Sequence, residues 1–327
     1  MKKVNNALRI SVIDNCNFSC LYCPREENME NYCPKDIRGG RLNTEQMCNA
    51  IRKILDKYQF TKIVITGGEP LLCSDLEKIL KTINEYDNEI ELDTNGSLFT
   101  ESKWDSIKNY IDGIKISLDS TNIKTFNYLT KYGNESSFNN IIKLVMAAKK
   151  EKIPITINCV CTKINFEEIE EVVDFCVKNE LNISILDLYY TKETEEFWRE
   201  NYIKIDSLID NFEKKYGKVQ DDNSFGCEFK RIYYNESNYI KFKKSTSTTM
   251  RDELCEKCPR YCQEGLFCLR LSRQGWVTVC QSNESNGILI EKNGDISSLI
   301  DRLEKSKPDN RSFEKMLRRN NISSDML

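Results

Sequence analysis

The sequence predicts an α/β fold in which six βα units form a partial (β/α)6 barrel of the TIM type, followed by a smaller cysteine-rich extension. Short β-branched and aliphatic runs alternate with amphipathic helical segments, which is typical of parallel βα units. A GxGxxG turn is missing from the sequence, so a barrel fits better than a dinucleotide-binding sheet. Cysteines and polar residues follow several strands, at the edge where such barrels carry their active sites.

The individual elements are read from hydrophobic periodicity and from helix-start residues such as Thr44 and Ser74. Strands are expected at 8–13, 62–66, 89–93, 113–118, 153–161 and 183–188. Helices are expected at 44–56, 74–85, 101–109, 122–130, 137–150 and 166–178.

The pattern changes after about residue 196, where polar stretches replace the regular alternation. The sequence predicts a helix at 206–216, a hairpin over 269–280 and a charged helical tail over 296–319. We therefore expect a core domain over residues 1–195 and a C-terminal extension over residues 196–327.

Charge and hydropathy exclude several classes of protein. The chain has 48 Lys and Arg against 51 Asp and Glu, so a net charge of -3 argues against binding to nucleic acid or a membrane surface. No run approaches the roughly 20 apolar residues of a membrane-spanning helix. The first residues also lack the apolar core of a signal peptide, so we expect a cytoplasmic protein.

Histidine and cysteine usage narrows the chemistry further. The 327 residues include no histidine, which excludes His-based acid–base catalysis and His-containing zinc sites. They include 15 cysteines, which in a reducing compartment indicate metal or redox chemistry instead of disulfides. Most of these cysteines fall into two groups, and such grouping favours metal ligation over scattered core packing.

The first group, Cys16, Cys20 and Cys23, has the spacing CxxxCxxC. Three thiolates on one loop can hold three irons of a cubane cluster and leave the fourth iron open. A small molecule could then chelate that iron through its amine and carboxylate groups. A zinc site or an electron-transfer cluster would each normally use a fourth protein ligand.

The residues around this motif resemble the radical SAM (S-adenosylmethionine) superfamily, and most closely its MoaA-type GTP 3',8-cyclases. The similarity covers roughly residues 8–190. It is carried by LRISVIDNCNFSC at 8–20, TGGEPLL at 66–72, TNG at 94–96, SLDS at 117–120 and INCV at 157–160.

The resemblance implies a role for each matching residue. Cys16, Cys20 and Cys23 would hold a [4Fe–4S] cluster that binds and cleaves SAM, with electrons from a flavodoxin- or ferredoxin-type partner. The remaining expected SAM contacts are Gly67, Gly68 and Glu69 with the methionine amine, Tyr22 with adenine, Thr94, Asn95 and Ser117 with the carboxylate or ribose, and Asn158 near the same ligand.

The second group lies in the extension and comprises Cys255, Cys258, Cys262, Cys268 and Cys280. We interpret it as an auxiliary [4Fe–4S] site, because the segment around Arg270 and Gly275 resembles twitch and SPASM extensions. Four of them, Cys255, Cys258, Cys262 and Cys280, are the preferred ligands, and Cys268 is the substitute candidate. A zinc ribbon and a metal-free cysteine group remain alternatives.

The substrate is left open by the sequence. By resemblance, Arg9 and Lys62 stand where the cyclases have basic residues facing nucleotide phosphates, and Arg270 matches one arginine of their C-terminal segment, so all three are candidate substrate contacts. Other cationic positions are lost, because Cys268 and Thr156 replace an arginine and a lysine. We therefore expect a small-molecule, nucleotide-like or peptide substrate, with a GTP 3',8-cyclase proper and a peptide-modifying maturase both kept as alternatives. A maturase would need its leader-binding domain from a separate protein, since the first strand starts near residue 8.

Two functions of a different class are also considered. A non-catalytic Fe–S electron carrier would not need the glycine-rich turn at 67–70. A zinc-binding interaction module at 255–280 on an inactive barrel would be distinguished from an iron site by metal analysis.

Overall fold

The computed structural model describes residues 1–23, 40–191, 193–223, 227–257, 265–280, 287–292 and 294–309. Within these ranges the main feature is a sheet of twelve strands whose centre is parallel. The parallel strands between β1 and β6 follow one another in chain order. They are β1 (Lys2–Ser11), β2 (Tyr58–Thr66), β3 (Ile90–Thr94), β4 (Gly113–Ser117), β5 (Ile155–Cys161) and β6 (Asn182–Asp187).

Helices connect these strands, as the sequence predicts. They are α1 (Thr44–Leu55), α2 (Leu76–Ile83), α3 (Glu101–Ile107), α4 (Ile123–Thr130), α5 (Glu135–Lys150) and α6 (Ile169–Lys178). The cap of α1 is Asn43, one residue before the expected Thr44, because Asn43 and Gln46 form a reciprocal capping box. Helix α2 starts at Leu76, later than the expected Ser74, and a 3-10 turn at Pro70–Leu72 precedes it.

The rest of the chain adds further elements. The helices are α7 (Glu195–Asn201), α8 (Asp206–Tyr216), α9 (Glu253–Lys257) and α10 (Ser297–Lys305). The strands are β7 (Gln220–Asp222), β8 (Phe229–Tyr233), β9 (Tyr239–Lys243), β10 (Thr249–Arg251), β11 (Cys268–Leu271), β12 (Trp276–Thr278), β13 (Ile288–Leu289) and β14 (Lys307–Asp309). Among the residues described, every helix is too short or too polar to cross a bilayer.

These later strands extend both edges of the parallel sheet. At one edge β11 pairs in parallel with β1, and β12 returns antiparallel, which confirms the predicted hairpin. At the other edge β9 pairs in parallel with β6, followed by β8 and β7. The predicted tail helix is wrong over residues 306–309, because the helix ends at Lys305 and β14 then pairs with β10. Residues 310–319 of that prediction lie outside the described part of the chain.

The two faces of the sheet differ in chemistry because strand side chains alternate between them. Side chains such as Leu8, Ile10 and Ile63 are fully buried and belong to the same core as those of α1 and α2. The alternate positions form what we call the inner face, which is polar. It carries Arg9, Lys62, Glu91, Asp93, Lys115, Ser117, Asn158, Ser184, Lys241 and Arg270.

The sheet curls around this inner face. Phe267, just before β11, has its ring centroid 5.8 Å from the Lys243 ammonium on β9. Six strands separate β11 from β9 in the sheet, so the two can meet only if the sheet bends into an open barrel. The same ring lies 5.5 Å from the Arg270 guanidinium.

Candidate functional site

The three predicted cluster ligands lie on the loop that follows β1. The loop is held at the end of α4, since the Ser19 and Leu21 amides donate to the carbonyls of Thr130 and Leu129 at 3.2 and 2.9 Å. Cys16 is exposed, whereas Cys20 and Cys23 are partly buried. The pKa of the Cys20 thiol is raised by burial and then by the negative charges of Asp119, Cys23 and Cys16. The three thiols are therefore neighbours on this loop.

The donor set of the loop fits a cubane cluster. Among the residues described, no three Cys, Asp or Glu side chains are grouped closely enough to hold a single metal ion. A cubane binds one thiolate per iron and so tolerates ligands that are farther apart than those around one ion. The Asn95 side-chain amide also donates to Cys16 Sγ at 3.8 Å, a contact that suits a thiolate ligand.

Gly67 and Gly68 hold the cysteine loop by close backbone contact. The Gly68 amide donates to the Ile13 carbonyl at 2.6 Å, and the Glu69 amide donates to the Asn15 carbonyl at 2.9 Å. A Cβ at Gly68 would stand 1.7 Å from the Asn15 oxygen, so no other residue fits. An ammonium group only donates hydrogen bonds, so it would need the backbone carbonyls of this turn and not the Gly68 and Glu69 amides, which donate to the loop.

The Glu69 carboxylate joins the turn after β2 to the end of β3. It is buried and accepts hydrogen bonds from the Leu71 amide at 2.9 Å, the Thr94 hydroxyl at 2.5 Å and the Asn95 amide at 2.7 Å. The Thr94 hydroxyl also accepts from the Gly96 amide at 2.9 Å. Both side chains are thus used to shape the edge of the sheet.

Asn95 is a predicted SAM contact whose side chain lies against the cysteine loop. Besides its contact with Cys16, its side-chain amide donates to Asn17 Oδ1 at 3.0 Å. Its own oxygen accepts from the Ser97 amide and hydroxyl at 2.9 and 2.6 Å. Ser97 was not singled out from the sequence, although the TNG motif one residue earlier pointed to this turn.

Ser117, at the carboxyl end of β4, is the register partner of Asn158, in the middle of β5. Ser117 is exposed and Asn158 is partly buried. The two therefore lie side by side on the inner face, one and two strands beyond the Thr94–Asn95 turn. The structure thus brings Cys16, Asn95, Ser117 and Asn158 to one edge of the sheet.

Tyr22 is anchored to Asp119, a residue whose role the sequence did not reveal. The Tyr22 hydroxyl donates to Asp119 Oδ2, and the Val160 amide donates to Oδ1 at 2.8 Å. Burial raises the pKa of Asp119 to about 6, although both hydrogen bonds act to lower it. The position of Asp119 directly after β4 was the available signal, because such positions face the active edge.

The predicted phosphate contacts on the inner face are paired with carboxylates. Arg9 donates to Asp93 at 2.8 Å, and Lys62 contacts both Glu89 and Glu91 at 3.0 Å. Lys115, which the sequence analysis did not select, also pairs with Glu91. Arg270 lies next to Arg9 in the register.

Glu91 is the buried centre of this ion-pair group. Burial pushes the pKa of Glu91 upward, but the ammonium groups of Lys115 and Lys62 outweigh it and lower that pKa. Glu91 therefore stays ionised on the inner face and neutralises part of the positive charge around it.

The second cysteine group is only partly described. Cys255 at α9 and Cys280 after β12 are partly buried, whereas Cys268 on β11 is fully buried beside Ala7, Val64 and Phe267. Burial raises the pKa of the Cys255 thiol to about 11. Cys258 and Cys262 lie outside the described residues.

Comparison with known proteins gives consistent results. Residues 10–176 match the family described as "Radical SAM superfamily". The chain is 28% identical over 317 residues to a GTP 3',8-cyclase of Peptoclostridium acidaminophilum, covering 94% of this chain and 91% of that protein. It is 27% identical to a probable GTP 3',8-cyclase of Methanocaldococcus jannaschii, covering 86% of each.

Two solved structures share the fold. Streptococcus suis SuiB bound to the precursor peptide SuiA gives a TM-score of 0.58 at 16% identity, over 85% of this chain. The chain spans 60% of the length of SuiB. The structure described as native anSMEcpe with bound AdoMet gives 0.57 at 14% identity, over 91% of this chain and 83% of that one.

Proposed function

This chain belongs to the radical SAM superfamily, and from that premise we propose that it abstracts a hydrogen atom from an organic substrate held on the inner face of the barrel. It is a radical SAM enzyme, and the superfamily implies a [4Fe–4S] cluster and SAM as its cofactors. The cluster, when bound, supplies the electron that cleaves SAM to a 5'-deoxyadenosyl radical. Cys16, Cys20 and Cys23 would hold that cluster.

The observation that carries the proposal is the docking of the cysteine loop onto the ends of β2 and β3. The backbone of the cysteine loop packs closely against Gly68, and the Asn95 side chain contacts Cys16 Sγ. The carbonyls of Gly67 and Gly68 would accept from the methionine amine. Ser117 and Asn158 supply polar groups at the same edge, where the carboxylate and ribose of SAM would lie.

Side chains of this protein would also exclude water from the place where the radical forms. Tyr22 ties the loop to Asp119, and its ring packs against the cluster of Leu188, Tyr190, Trp198 and Tyr202. This aromatic group would shield one side of the adenine region from water.

For the extension we propose an auxiliary [4Fe–4S] site in a C-terminal unit over residues 196–327. Cys255, Cys258, Cys262 and Cys280 would hold it. Cys268 is the poorest candidate, because it is 1% exposed in an apolar cluster with Ala7 and Val64. A cluster with four protein ligands would relay electrons from a flavodoxin- or ferredoxin-type donor.

A GTP 3',8-cyclase is the second candidate function. It is favoured by the alignment with the Peptoclostridium protein, which spans 94% of this chain and so includes the extension. The pairing of Arg9 and Lys62 with carboxylates leaves less cationic charge for a triphosphate than their sequence positions suggest. A peptide-modifying maturase, with a peptide as its substrate, is the other alternative.

The test is anaerobic reconstitution followed by SAM cleavage with a strong reductant. We expect about eight irons per chain and formation of 5'-deoxyadenosine. Cys20→Ala should lose about four irons and all SAM cleavage, because one of three ligands is removed. The matched control is Cys48→Ala, which replaces a buried cysteine of α1. This variant should keep its full iron content and its SAM cleavage.

Retention of full iron content and SAM cleavage by Cys20→Ala would contradict the proposal. Incubation of the parent enzyme with GTP then tests the second candidate. A cyclised purine product would assign the cyclase activity, and its absence together with abortive 5'-deoxyadenosine would point to another substrate.

A further inference from the structure

We propose that Lys241 on β9 and Ser184 on β6 form a docking site for an oxyanion of the substrate, a carboxylate or a phosphate. The inference rests on the proposed function, because it names what the substrate of that same inner face must carry. It uses neither Arg9, Lys62 nor Arg270, the basic positions selected from the sequence.

Strand register places the two side chains together. Ser184 pairs with Lys241 on one side and with Asn158 on the other, and Asn158 pairs with Ser117. Neighbouring strands lie about 5 Å apart, so Lys241 stands about 15 Å along this row from Ser117. A substrate bound at Lys241 would therefore reach toward the SAM edge with its other end.

Lys241 differs from the other lysines of the inner face in its partners. Lys62 and Lys115 both pair with Glu91. Within the described residues, the Lys241 ammonium makes neither an ion pair nor a hydrogen bond, and it lies 4.7 Å from the centroid of the Phe229 ring. An ammonium group in this position still has three donors to offer.

Ser184 is the second group of the proposed site. Its side chain is 3% exposed, and its hydroxyl has no hydrogen-bond partner among the described residues. A buried hydroxyl without a partner is unfavourable, and most such groups are satisfied in folded proteins. An oxyanion bound to Lys241 would supply the missing acceptor.

The surrounding charge favours an anion at this place. Lys241 faces Lys115 on β4 and Arg231 on β8, together with Glu91 on β3 and Asp222 on β7. Both carboxylates are already paired, Glu91 with two lysines and Asp222 with Arg231. Burial, followed by the charges of Lys115 and Arg231, lowers the pKa of Lys241 to about 8. A bound anion would relieve this unfavourable burial of positive charge.

The test measures protection of Lys241 in the reconstituted full-length enzyme. Trace acetylation near pH 8 is quantified for each lysine by peptide mass spectrometry, since only the deprotonated amine reacts. Inorganic phosphate is added in one arm and acetate in another, with chloride at equal ionic strength as the reference. We expect phosphate or acetate to slow acetylation of Lys241 at least threefold, and the arm that responds identifies the oxyanion.

Lys230 is the internal control, because it lies on the opposite face of β8 and pairs with Asp221. Its acetylation should not change in either arm. Ser184→Ala should require about tenfold more oxyanion for the same protection, as expected for loss of one charge-assisted hydrogen bond. Equal acetylation of Lys241 in all arms overturns the inference, and so does undiminished protection in Ser184→Ala.

The readout separates this inference from the proposed function. Formation of 5'-deoxyadenosine without protection of Lys241 rejects the oxyanion site alone. Protection of Lys241 without SAM cleavage supports the site and rejects the proposed chemistry.

Discussion

The Glu69 carboxylate accepts a hydrogen bond from the backbone amide of Asn95 at 2.7 Å, and this contact joins the turn after β2 to the end of β3. Asn95 in turn contacts Cys16 Sγ. A buried side chain thus aligns the cysteine loop with two strand ends. These hydrogen bonds explain the position of Glu69 in the GGEP turn as much as any direct contact with SAM would.

We expect Glu69→Gln to weaken both stability and SAM binding. The amide would turn its NH2 group toward either the Asn95 amide or the Thr94 hydroxyl, which are donors in the present arrangement. The cost should be about 2–3 kcal/mol of unfolding free energy, measured by chemical denaturation, with SAM binding weakened about tenfold. Glu77→Gln, in the exposed Glu77–Lys81 pair, should cost no more than about 0.5 kcal/mol. Equal effects of the two variants would show that the Glu69 contacts are unimportant.

Gly68→Ala should prevent the N-terminal cluster from assembling. The new Cβ would overlap the Asn15 carbonyl, which is backbone and cannot rotate away, so the cysteine loop must move. We expect a loss of about four irons per chain and of SAM cleavage, measured by iron analysis and by 5'-deoxyadenosine formation. Gly113→Ala is the control, because among the described residues the nearest atom to its new Cβ would be the Pro154 oxygen, at an ordinary 3.8 Å. A Gly68→Ala protein with full iron content would show that the close approach is not required.

Lys241→Met should make the protein more stable in the absence of substrate. The folded-state pKa of Lys241 is lowered to about 8, so its partly buried, charged ammonium destabilises the fold at neutral pH. As the pH rises from about 8 to about 10.5 the lysine deprotonates first in the folded state, and this penalty disappears. We expect a gain of about 2 kcal/mol near pH 7 and little gain near pH 10. Chemical denaturation at both pH values measures this, and a destabilised variant at pH 7 would contradict it.

Asp187, at the end of β6, should make stability depend on pH in the opposite sense. The carboxylate accepts from the Ser245 amide and hydroxyl at 2.6 and 2.7 Å, yet burial raises its pKa to about 6. Its contribution is complete below about pH 4 and is lost as the pH rises through about 6. Asp187→Asn should therefore match the parent near pH 4 and exceed it by about 2 kcal/mol near pH 7.

Thermal unfolding of parent and variant across this pH range gives the comparison. Ser245→Ala removes the hydroxyl donor that lowers the pKa of Asp187. In this variant the pH-dependent loss of stability should therefore occur at a higher pH than in the parent. A constant difference between parent and Asp187→Asn at every pH would exclude Asp187 as the titrating group.

The sequence could predict the elements of the core because their signals are local. Alternation of β-branched residues marks β2 and β4, and the residues before α1 mark its start to within one position. The cysteine loop and the GGEP turn could be assigned together because parallel strands present their carboxyl ends at one edge. The partners of Tyr22 and Glu69 could not be found this way, because Asp119 and Asn95 are distant in the chain.

The sequence by itself determined the βα alternation, the absence of histidine chemistry and the spacing of the cysteines, since each depends on neighbouring residues or on composition. Only the tertiary structure decided how the charges of the inner face are arranged. Arg9 and Lys62 pair with carboxylates on β3, whereas Lys241, which no motif marks, forms no ion pair within the described part of the chain. Residue type alone gives a side chain its charge. Its ion pairing and desolvation depend on which strands the folded sheet places beside it.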